Sequence, residues 1–371
     1  MTAAGQGPVA GDRGWPRGGA RKELRFVRPQ PAAATKGKTM ALFGKKSKGK
    51  STKLFFMTDV HGSETTYRKF VNAGKFYGVD VLILGGDIAG KMVVPILDFG
   101  GGKYRATIQS ITHELDGSDE VAEFEKRAGK LGSYTAVVTP DEYDAMSADP
   151  ALVDAAYHRL ATERLARWID LAEERLAGTG IKMYMTGGND DAPDILDALD
   201  EHSRENVVNC EGKRLVIDED EHFMISSGLS NPTPWNTPRE VPDEELGRHI
   251  EEIVAGVTDF SRAIFNFHAP PKDSSLDTAA ELDWTTDPPK VVTSGGTPVM
   301  AGAGSAAVRT AIEKYQPLLS LHGHIHESRG ETRIGRTVSV NPGSEYGEGL
   351  LRGALITIAG EAVQNVQLTS G

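Results

Sequence analysis

LFFMTDVH at residues 54–61 and VLILGGD at residues 81–87 are short apolar runs that each end on polar side chains. Continuous apolar runs of this length are typical of strands that are buried on both faces of a sheet. The first run ends on Asp59 and His61, and the second ends on Asp87. Because open α/β sheets bind ligands at the carboxyl ends of their strands, we expect these three side chains to lie together at one sheet edge.

Three further blocks repeat this pattern along the chain. Gly188-Asn189-Asp190, His268 and residues 322–326 each follow another apolar run. A lone Asp or His after a strand is usually a helix cap or a satisfied core residue, but five such blocks together are hard to explain in that way. Oxygen and imidazole donors without thiolates suit Mn, Fe or Zn ions. The blocks offer seven such donors: Asp59, His61, Asp87, Asn189, His268, His324 and His326.

Apolar runs alternate with amphipathic stretches over most of the chain, which predicts a layered α/β sandwich. The predicted strands are residues 54–57, 81–84, 181–185, 223–225, 263–267 and 317–321, followed by antiparallel strands at 337–340, 353–358 and 362–368. The predicted helices are residues 65–77, 192–201, 243–256 and 305–315.

Residues 116–178 keep a period of about 3.6 in their apolar side chains, which predicts a helical insertion. Asp149 and Pro150 form a helix start signal within it, and Gly178 forms a stop signal. Two roles are open for this segment: packing against the main body, and closing over the site.

The charge of the 371-residue chain is unevenly distributed. Residues 1–53 carry 13 Lys or Arg and 2 Asp or Glu, whereas the remainder carries 28 and 50, so the net charge of −11 hides a basic arm and an acidic body. We expect residues 1–50 to form a disordered, solvated arm, with nucleic-acid or anionic-membrane contact as the alternative, and residues 51–371 to form one domain. Met40 is a plausible alternative start, which would make residues 1–39 an extension. The acidic body argues against duplex DNA as a partner.

The covalent and membrane signals point to a cytoplasmic protein. The single Cys210 cannot close an internal disulfide, so nothing requires an oxidising compartment. The chain has no run of about 18 apolar residues that would span a membrane, and no apolar segment typical of a secretory signal. We expect a soluble protein without a membrane partner, and its oligomeric state stays open.

The five blocks, in their order along the chain, resemble the calcineurin-like metallophosphoesterase superfamily: Asp-x-His, Gly-Asp, Gly-Asn, a lone His and Gly-His-x-His. The finer motifs at residues 268–271, 323–328 and 341–344 are similar to the Icc-type predicted phosphoesterases of bacteria and archaea. The resemblance covers about residues 54–368. It implies a four-layer α/β/β/α sandwich with a helical insertion.

The resemblance also implies a role for each ligand, with Asp87 as the bridge between two divalent ions. Asp59, His61, Asp87 and His326 would hold one ion, and Asp87, Asn189, His268 and His324 would hold the other. Two such ions can activate a bridging hydroxide, which would attack the phosphorus of a small phosphodiester or phosphomonoester. Asn189 and Asp190 are the residues expected to act in catalysis.

The chain departs from the family at Asp190, where most members carry a histidine that is thought to bind phosphate and protonate the leaving group. Three alternatives follow: Asp190 donates the proton, His222 or His113 takes over, or the leaving group needs little help. A carboxyl group beside two cations should have a lowered pKa, which disfavours the first alternative and favours a phosphodiester or an activated ester as substrate. Asp191 is expected to cap the following helix.

The competing function is a non-catalytic scaffold that binds proteins through the same fold. A nuclease is disfavoured because the sequence shows no basic track across the domain.

Other residues could support the site. Asn341 and Glu327 are expected to orient the ligands from outside. The helix that begins at Gly304-Ser305 is a candidate anion site, and Trp235 is a candidate surface for stacking of a substrate base. His322 is expected to be a strand-end residue without a role at the metals.

Overall fold

Three sheets and seven helices carry the part of the fold that the computed structural model describes, residues 50–283, 285–286 and 289–371. The predicted arm at residues 1–50 lies outside the described residues, apart from Lys50. The strands are β1 Thr52–Met57, β2 Val81–Gly85, β3 Val93–Asp98, β4 Lys103–Ile108, β5 Ile111–Asp116, β6 Tyr134–Val138, β7 Lys182–Thr186, β8 Val207–Asn209, β9 Arg214–Val216, β10 Phe223–Ser227, β11 Ala263–Phe267, β12 Thr278–Ala280, β13 Leu282–Asp283, β14 Lys290–Val291, β15 Thr293–Ser294, β16 Thr297–Pro298, β17 Met300–Gly302, β18 Leu319–Leu321, β19 Gly330–Ile334, β20 Thr337–Asn341, β21 Arg352–Ala359 and β22 Ala362–Ser370. The helices are α1 Glu64–Tyr77, α2 Gly117–Lys130, α3 Pro140–Ala148, α4 Pro150–Leu176, α5 Pro193–His202, α6 Asp243–Ile253 and α7 Ala306–Tyr315, with a 3₁₀ helix at Tyr346–Glu348. The fold is therefore mixed α/β, as predicted, and the small strands β12 to β17 form two-stranded sheets in addition to the three larger sheets.

The first six-stranded sheet has the order β22-β21-β1-β2-β7-β8. Its strands β1, β2, β7 and β8 are parallel, and β21 and β22 extend it in antiparallel fashion. In the register of the parallel strands, Phe56 pairs with Ile83, and Ile83 pairs with Tyr184. The loops after β1, β2 and β7 therefore leave the sheet at the same edge, and these loops carry three of the five predicted blocks.

The second six-stranded sheet has the order β19-β20-β18-β11-β10-β9. Strands β10, β11, β18 and β20 are parallel, with Phe265 paired to Ile225 on one side and to Ser320 on the other. The loops after β11 and β18 carry the remaining two blocks, His268 and residues 322–326.

The core consists of separate clusters on the two faces of each large sheet. Along β1, Leu54 and Phe56 point to a cluster that also contains Met224 and Ile264 of the second sheet. Phe55 and Met57, on the other face of β1, belong to a cluster with residues of α1, α4 and α5. The second sheet packs its own other face against α6 and α7, through the cluster of Phe265, Leu246, Ile250, Val308 and Ile312. Strand alternation thus explains why the apolar runs are continuous, since both faces are covered.

The segment predicted as a helical insertion, residues 116–178, contains a strand as well as helices. Helices α2, α3 and α4 lie within it, but β6 separates α2 from α3 and joins a four-stranded sheet of order β5-β4-β3-β6. One face of this sheet is buried, and Val94, Ile96 and Ala106 pack there with Phe124 of α2. The helical period of the stretch comes from its three helices. The five-residue strand β6, whose side chains are mostly half-exposed, is too short to change that period, so the sequence pattern does not reveal it.

Helix α4 begins as predicted, with the Asp149 side chain accepting a hydrogen bond from Ala151 N at 3.0 Å. Its buried face packs on the first sheet, where the ring of Trp168 stacks on Tyr67 with 4.1 Å between centroids. Packing against the main body is therefore one role of the segment, and closure over the site stays a prediction. Among the described residues, no helix combines the length and apolar character needed to cross a membrane.

Candidate metal centre

The loops after β1 and β2 run side by side and carry three predicted ligands. Asp59 N–H donates to Gly86 O, and His61 N–H donates to Asp87 O, both at 2.9 Å. Asp59, His61 and Asp87 adopt positive φ angles of 53°, 39° and 50°. This left-handed backbone is unfavourable for residues other than glycine, and such strain tends to cluster at functional sites. The hydrogen bonds between the loops hold the strained backbones in place.

The first predicted ligand set comes together at this edge. His61 Nε2 lies 3.2 Å from His326 Nε2 and 3.5 Å from Asp87 Oδ2. His326 Nε2 lies 3.3 Å from Asp59 Oδ1. Donor atoms bound to one ion at about 2.0–2.2 Å lie roughly 3 Å from each other, so this spacing suits a shared ion.

The second predicted set lies on the other side of Asp87. Asp87 Oδ1 is 3.4 Å from His268 Nε2, and Asn189 Oδ1 is 3.1 Å from the same nitrogen. Asn189 Oδ1 is also 2.7 Å from His324 Nδ1. The two carboxylate oxygens of Asp87 therefore face different ligand sets, which is the geometry that a bridging carboxylate requires.

The pKa values of the four histidines of the centre shift in opposite directions, lowered for two and raised for the other two. Burial lowers the pKa of His61 to about 3, and burial together with the charge of His268 lowers the pKa of His324 to about 4. Burial also opposes the charged form of His268, but the neighbouring Asp87 carboxylate outweighs it and raises the pKa to about 10. His326 behaves similarly, because Asp59 outweighs the effect of burial and raises its pKa.

The two carboxylates of the centre are ionised although they are buried. Burial opposes ionisation of Asp59, but the charge of His326 outweighs it and lowers the pKa to about 2. In the same way, the charge of His268 holds the pKa of Asp87 well below its usual range. Two buried carboxylates need cationic partners, and the proton on His268, whose pKa is raised to about 10, supplies such a charge.

This donor set fits divalent cations. Asn189 Oδ1 faces two imidazole nitrogens, and the Nε2 atoms of His61 and His326 face each other. Oxygen and nitrogen acceptors converge in this way around a cation, and binding would displace the proton that His268 carries. The groups Asp59–His61–His326 and Asp59–Asp87–His268 each place their donor atoms within 4.8 Å of one another.

Glycines allow the ligand loops to approach closely. A Cβ on Gly188 would lie 2.0 Å from Asp87 Oδ1, and one on Gly323 would lie 2.5 Å from Asp59 Oδ2. Side chains do not pack at such distances, so both positions require glycine.

Asp190 forms an ion pair that the sequence did not indicate. Its Oδ2 lies 2.8 Å from Lys91 Nζ and 3.7 Å from His61 Nδ1, and its backbone N–H donates to Asp87 Oδ1 at 3.0 Å. Burial and the charge of Asp87 raise the pKa of Asp190, while Lys91 acts against them. From the sequence, a lowered pKa is expected for Asp190, because two bound cations are counted beside this carboxyl group.

The prediction that Asp191 caps the next helix is wrong. Helix α5 has Ala192 at its N-cap, without a side-chain cap. The buried Asp191 carboxylate instead accepts hydrogen bonds from the backbone N–H groups of Ile88, Ala89 and Gly188 at 2.8–2.9 Å. It ties the loop after β2 to the loop after β7, although burial and the charge of Asp87 raise its pKa to about 6.

A buried ion pair supports the Asn189 loop, and sequence analysis missed it. The Arg239 guanidinium pairs with Glu211 and donates to Gly188 O at 3.0 Å, and Arg239 N–H donates to Asn189 O at 3.1 Å. Asn189 Nδ2 donates to Thr237 Oγ1 at 2.8 Å, which fixes its amide oxygen toward the histidines. Arg239 lies 50 residues after Asn189 in the chain, so only the fold shows this support.

The residues that the sequence predicts around the ligand set differ in their contacts. Asn341 Nδ2 donates to Gly323 O and Ile325 O at 3.3 and 3.0 Å, so it does orient the ligand loop after β18. Glu327 is exposed, and its role stays a prediction. His322 is buried, with its ring bonded to Ser320 and to backbone carbonyls, as expected of a strand-end residue.

The two histidines considered as alternative proton donors, His222 and His113, make their contacts elsewhere. His222 is hydrogen-bonded to Asp218, which also accepts from Thr52 at the start of β1. The ligands follow the other end of β1, about 20 Å away for a six-residue strand. His113 lies on β5, where its ring packs near Phe124 of α2.

The candidate anion site at the start of α7 is already filled by protein carboxylates. Ala306 N–H donates to Asp243 at 3.0 Å, and Gly304 N–H donates to Asp277 at 3.1 Å. Trp235 is 74% exposed on the loop that holds Thr237, which leaves its stacking role a prediction.

A scan against models of known protein families matches none. Among curated proteins, the chain is 30% identical over 157 residues to the uncharacterized protein MJ1162 of Methanocaldococcus jannaschii. That match covers 42% of this chain and 61% of the relative, so the chain spans about three fifths of the length of the curated protein it matches.

Solved structures align over most of the chain at low identity. TT1561 of Thermus thermophilus aligns with 84% of this chain and 99% of that chain, with 13% identity and a TM-score of 0.44. A structure described as a novel archaeal phosphodiesterase aligns with 86% of this chain and 99% of that chain, with 11% identity and a TM-score of 0.33. The resemblance to the calcineurin-like metallophosphoesterases rests on the five blocks themselves, which occur in the family's order and follow the carboxyl ends of strands in the two six-stranded sheets.

Proposed function

We propose that this protein is a metal-dependent phosphoesterase that holds two divalent ions of Mn, Fe or Zn and hydrolyses a small phosphodiester. The observation that carries the proposal is the position of Asp87, whose Oδ1 faces His268 and whose Oδ2 faces His61. Divalent ions in these two ligand sets would polarise a phosphoryl oxygen and lower the pKa of water. The four-layer α/β/β/α arrangement belongs to the same proposal and is supported by the buried clusters on both faces of each large sheet.

In this proposal, side chains of the protein position the ions and supply the negative charge that binds them. Asp59 and Asp87 provide the anionic oxygens, and Asn189 adds a neutral oxygen whose direction Thr237 fixes. A neutral ligand avoids a third buried negative charge in the centre, which would repel an anionic substrate. Asp190 lies at the rim of this arrangement, with 17% of its side chain exposed.

A preference for diesters over monoesters is supported by the chemistry of Asp190. The ion pair with Lys91 favours its carboxylate form, although burial and the charge of Asp87 raise its pKa. Two cations bound beside it would lower that pKa and make Asp190 a poor proton donor for an alkoxide leaving group. A phosphodiester carries one negative charge and a monoester carries up to two, so the carboxylates at the rim repel the monoester more strongly.

The test is hydrolysis of bis-p-nitrophenyl phosphate and p-nitrophenyl phosphate with added Mn²⁺, before and after chelation. We expect Mn²⁺-dependent turnover that is higher on the diester, and a loss of about 100-fold or more in Asp87→Asn. Glu251→Gln is the control, because Glu251 is a half-exposed carboxylate that pairs with Lys314 on the outer helices. If neither ester shows metal-dependent turnover, the proposal is wrong and the non-catalytic scaffold becomes the better explanation.

A further inference from the structure

We propose that Lys91 binds the phosphoryl oxygens of the substrate and that Asp190 holds Lys91 in the position to do so. This inference rests on the proposed phosphoesterase function and names the residue that receives the anion. An anionic substrate must approach a rim where Asp87 and Asp190 already lie close together. A cation at that rim offsets their repulsion.

Lys91 is placed at this rim by direct contacts. Its Nζ lies 2.8 Å from Asp190 Oδ2, and that same oxygen lies 3.7 Å from His61 Nδ1. The charge of Lys91 is also close enough to act on both His326 and Tyr346, whose ring packs 4.7 Å from the ring of His61. Lys91 therefore lies beside the ligand set of His61 and His326.

The ammonium group keeps donors free for a ligand. A lysine ammonium has three N–H donors, and the ion pair with Asp190 uses one of them. The Lys91 side chain is 52% exposed, so solvent reaches about half of its surface. Hydrogen bonds from an ammonium to phosphate oxygens are charge-assisted and stronger than neutral ones.

The backbone before Lys91 is fixed, which aims its side chain. Ala89 N–H is bonded to Asp191, and Gly90 N–H donates to Tyr134 Oη at 2.9 Å. A Cβ on Gly90 would lie 2.0 Å from Gly132 O, so the chain passes through a tight gap immediately before the lysine. A cation carried by such a fixed loop is already in place when the substrate arrives.

The alternative is an ordinary surface ion pair, and the chain offers a matched example of one. Lys314 lies 2.8 Å from Glu251, and its side chain is 53% exposed, almost the same values as for Lys91. Lys314 is on α7 and Glu251 on α6, and both belong to the outer side of the second sheet. Lys314→Gln is therefore the control for Lys91→Gln.

The experiment measures binding of inorganic phosphate to the Mn²⁺-loaded protein by calorimetry, together with bound manganese and the thermal midpoint. We expect Lys91→Gln to weaken phosphate about ten-fold, the low end for a charge-assisted hydrogen bond because the side chain is half exposed. Its KM for bis-p-nitrophenyl phosphate should rise by a similar factor, while metal content and thermal midpoint stay unchanged. Lys91→Arg should retain most of the affinity, and Lys314→Gln should behave as wild type.

Two results would overturn the inference while the proposed function stands. One is turnover with unchanged phosphate affinity in Lys91→Gln, and the other is loss of bound manganese in that variant, which would make Lys91 a support of the metal ligands. If wild-type protein with Mn²⁺ neither binds phosphate nor hydrolyses either ester, the proposed function fails, and the inference fails with it.

Discussion

Replacing Gly188 with alanine tests how closely the ligand loops after β2 and β7 pack. The added Cβ would lie 2.0 Å from Asp87 Oδ1 and 2.3 Å from Asp87 N, whereas ordinary contacts begin at 3.4 Å. The loops must separate by about 1 Å, because a backbone nitrogen cannot rotate away from the clash. We expect a loss of about 3 kcal/mol in the free energy of unfolding, the upper end for overpacking. Because Asp87 would move away from Asn189, the affinity for Mn²⁺ should fall about 100-fold.

Urea unfolding without added metal gives the free energy, and calorimetry gives the Mn²⁺ affinity. Gly247→Ala is the control, because a Cβ at this position in α6 meets only Ala307 Cβ at 3.6 Å. Alanine in a helix interior is more favourable than glycine, so the control should gain up to about 1 kcal/mol and bind Mn²⁺ normally. The reasoning is refuted if Gly188→Ala loses less than about 1 kcal/mol and binds Mn²⁺ like wild type.

Two further predictions concern the support and the protonation of the centre. Arg239→Met should lower the free energy of unfolding by about 3 kcal/mol in urea, because it removes the cationic partner of the Glu211 carboxylate, whose side chain is only 14% exposed. A loss below about 1 kcal/mol would contradict the role of this pair. Mn²⁺ binding at pH 7 should release protons and weaken as the pH falls, since Asp87 raises the pKa of His268 to about 10 and the metal must displace that proton. Calorimetry in buffers of different ionisation enthalpy measures the release, and identical binding enthalpies in all of them would refute it.

The sequence predicts well which strand ends carry the candidate ligands, because each candidate follows a buried strand. Strands covered on both faces leave continuous apolar runs, and parallel strands bring their ends to one edge. For this reason the runs before Asp59, Asp87 and His268 correspond to β1, β2 and β11 in the structure. The roles of these residues as metal ligands stay a proposal that metal analysis can test.

The supporting contacts could not be predicted from the sequence, because they join distant segments through side chains with no local pattern. Glu211 and Arg239 each look like an ordinary surface charge in the sequence, and only the fold buries them together. Lys91 looks like a loop residue until the loop after β7 places Asp190 beside it. Local spacing favours a helix cap for Asp191, but three backbone N–H groups from two loops compete for its carboxylate.

Hydrogen bonds between the ligand loops hold their strained backbones in place. Asp59, His61, Asp87 and His324 all have left-handed backbones, and each costs about 1 kcal/mol for a residue with a Cβ. Folding holds this strain at the ligands through hydrogen bonds such as His324 N–H to Asp59 at 3.1 Å. The donors are therefore close together before any cation binds, so folding rather than binding supplies the free energy that orders them. If this centre binds cations as proposed, it needs only to exchange protons for metal ions, and the proton on His268 should then govern the pH dependence of its affinity.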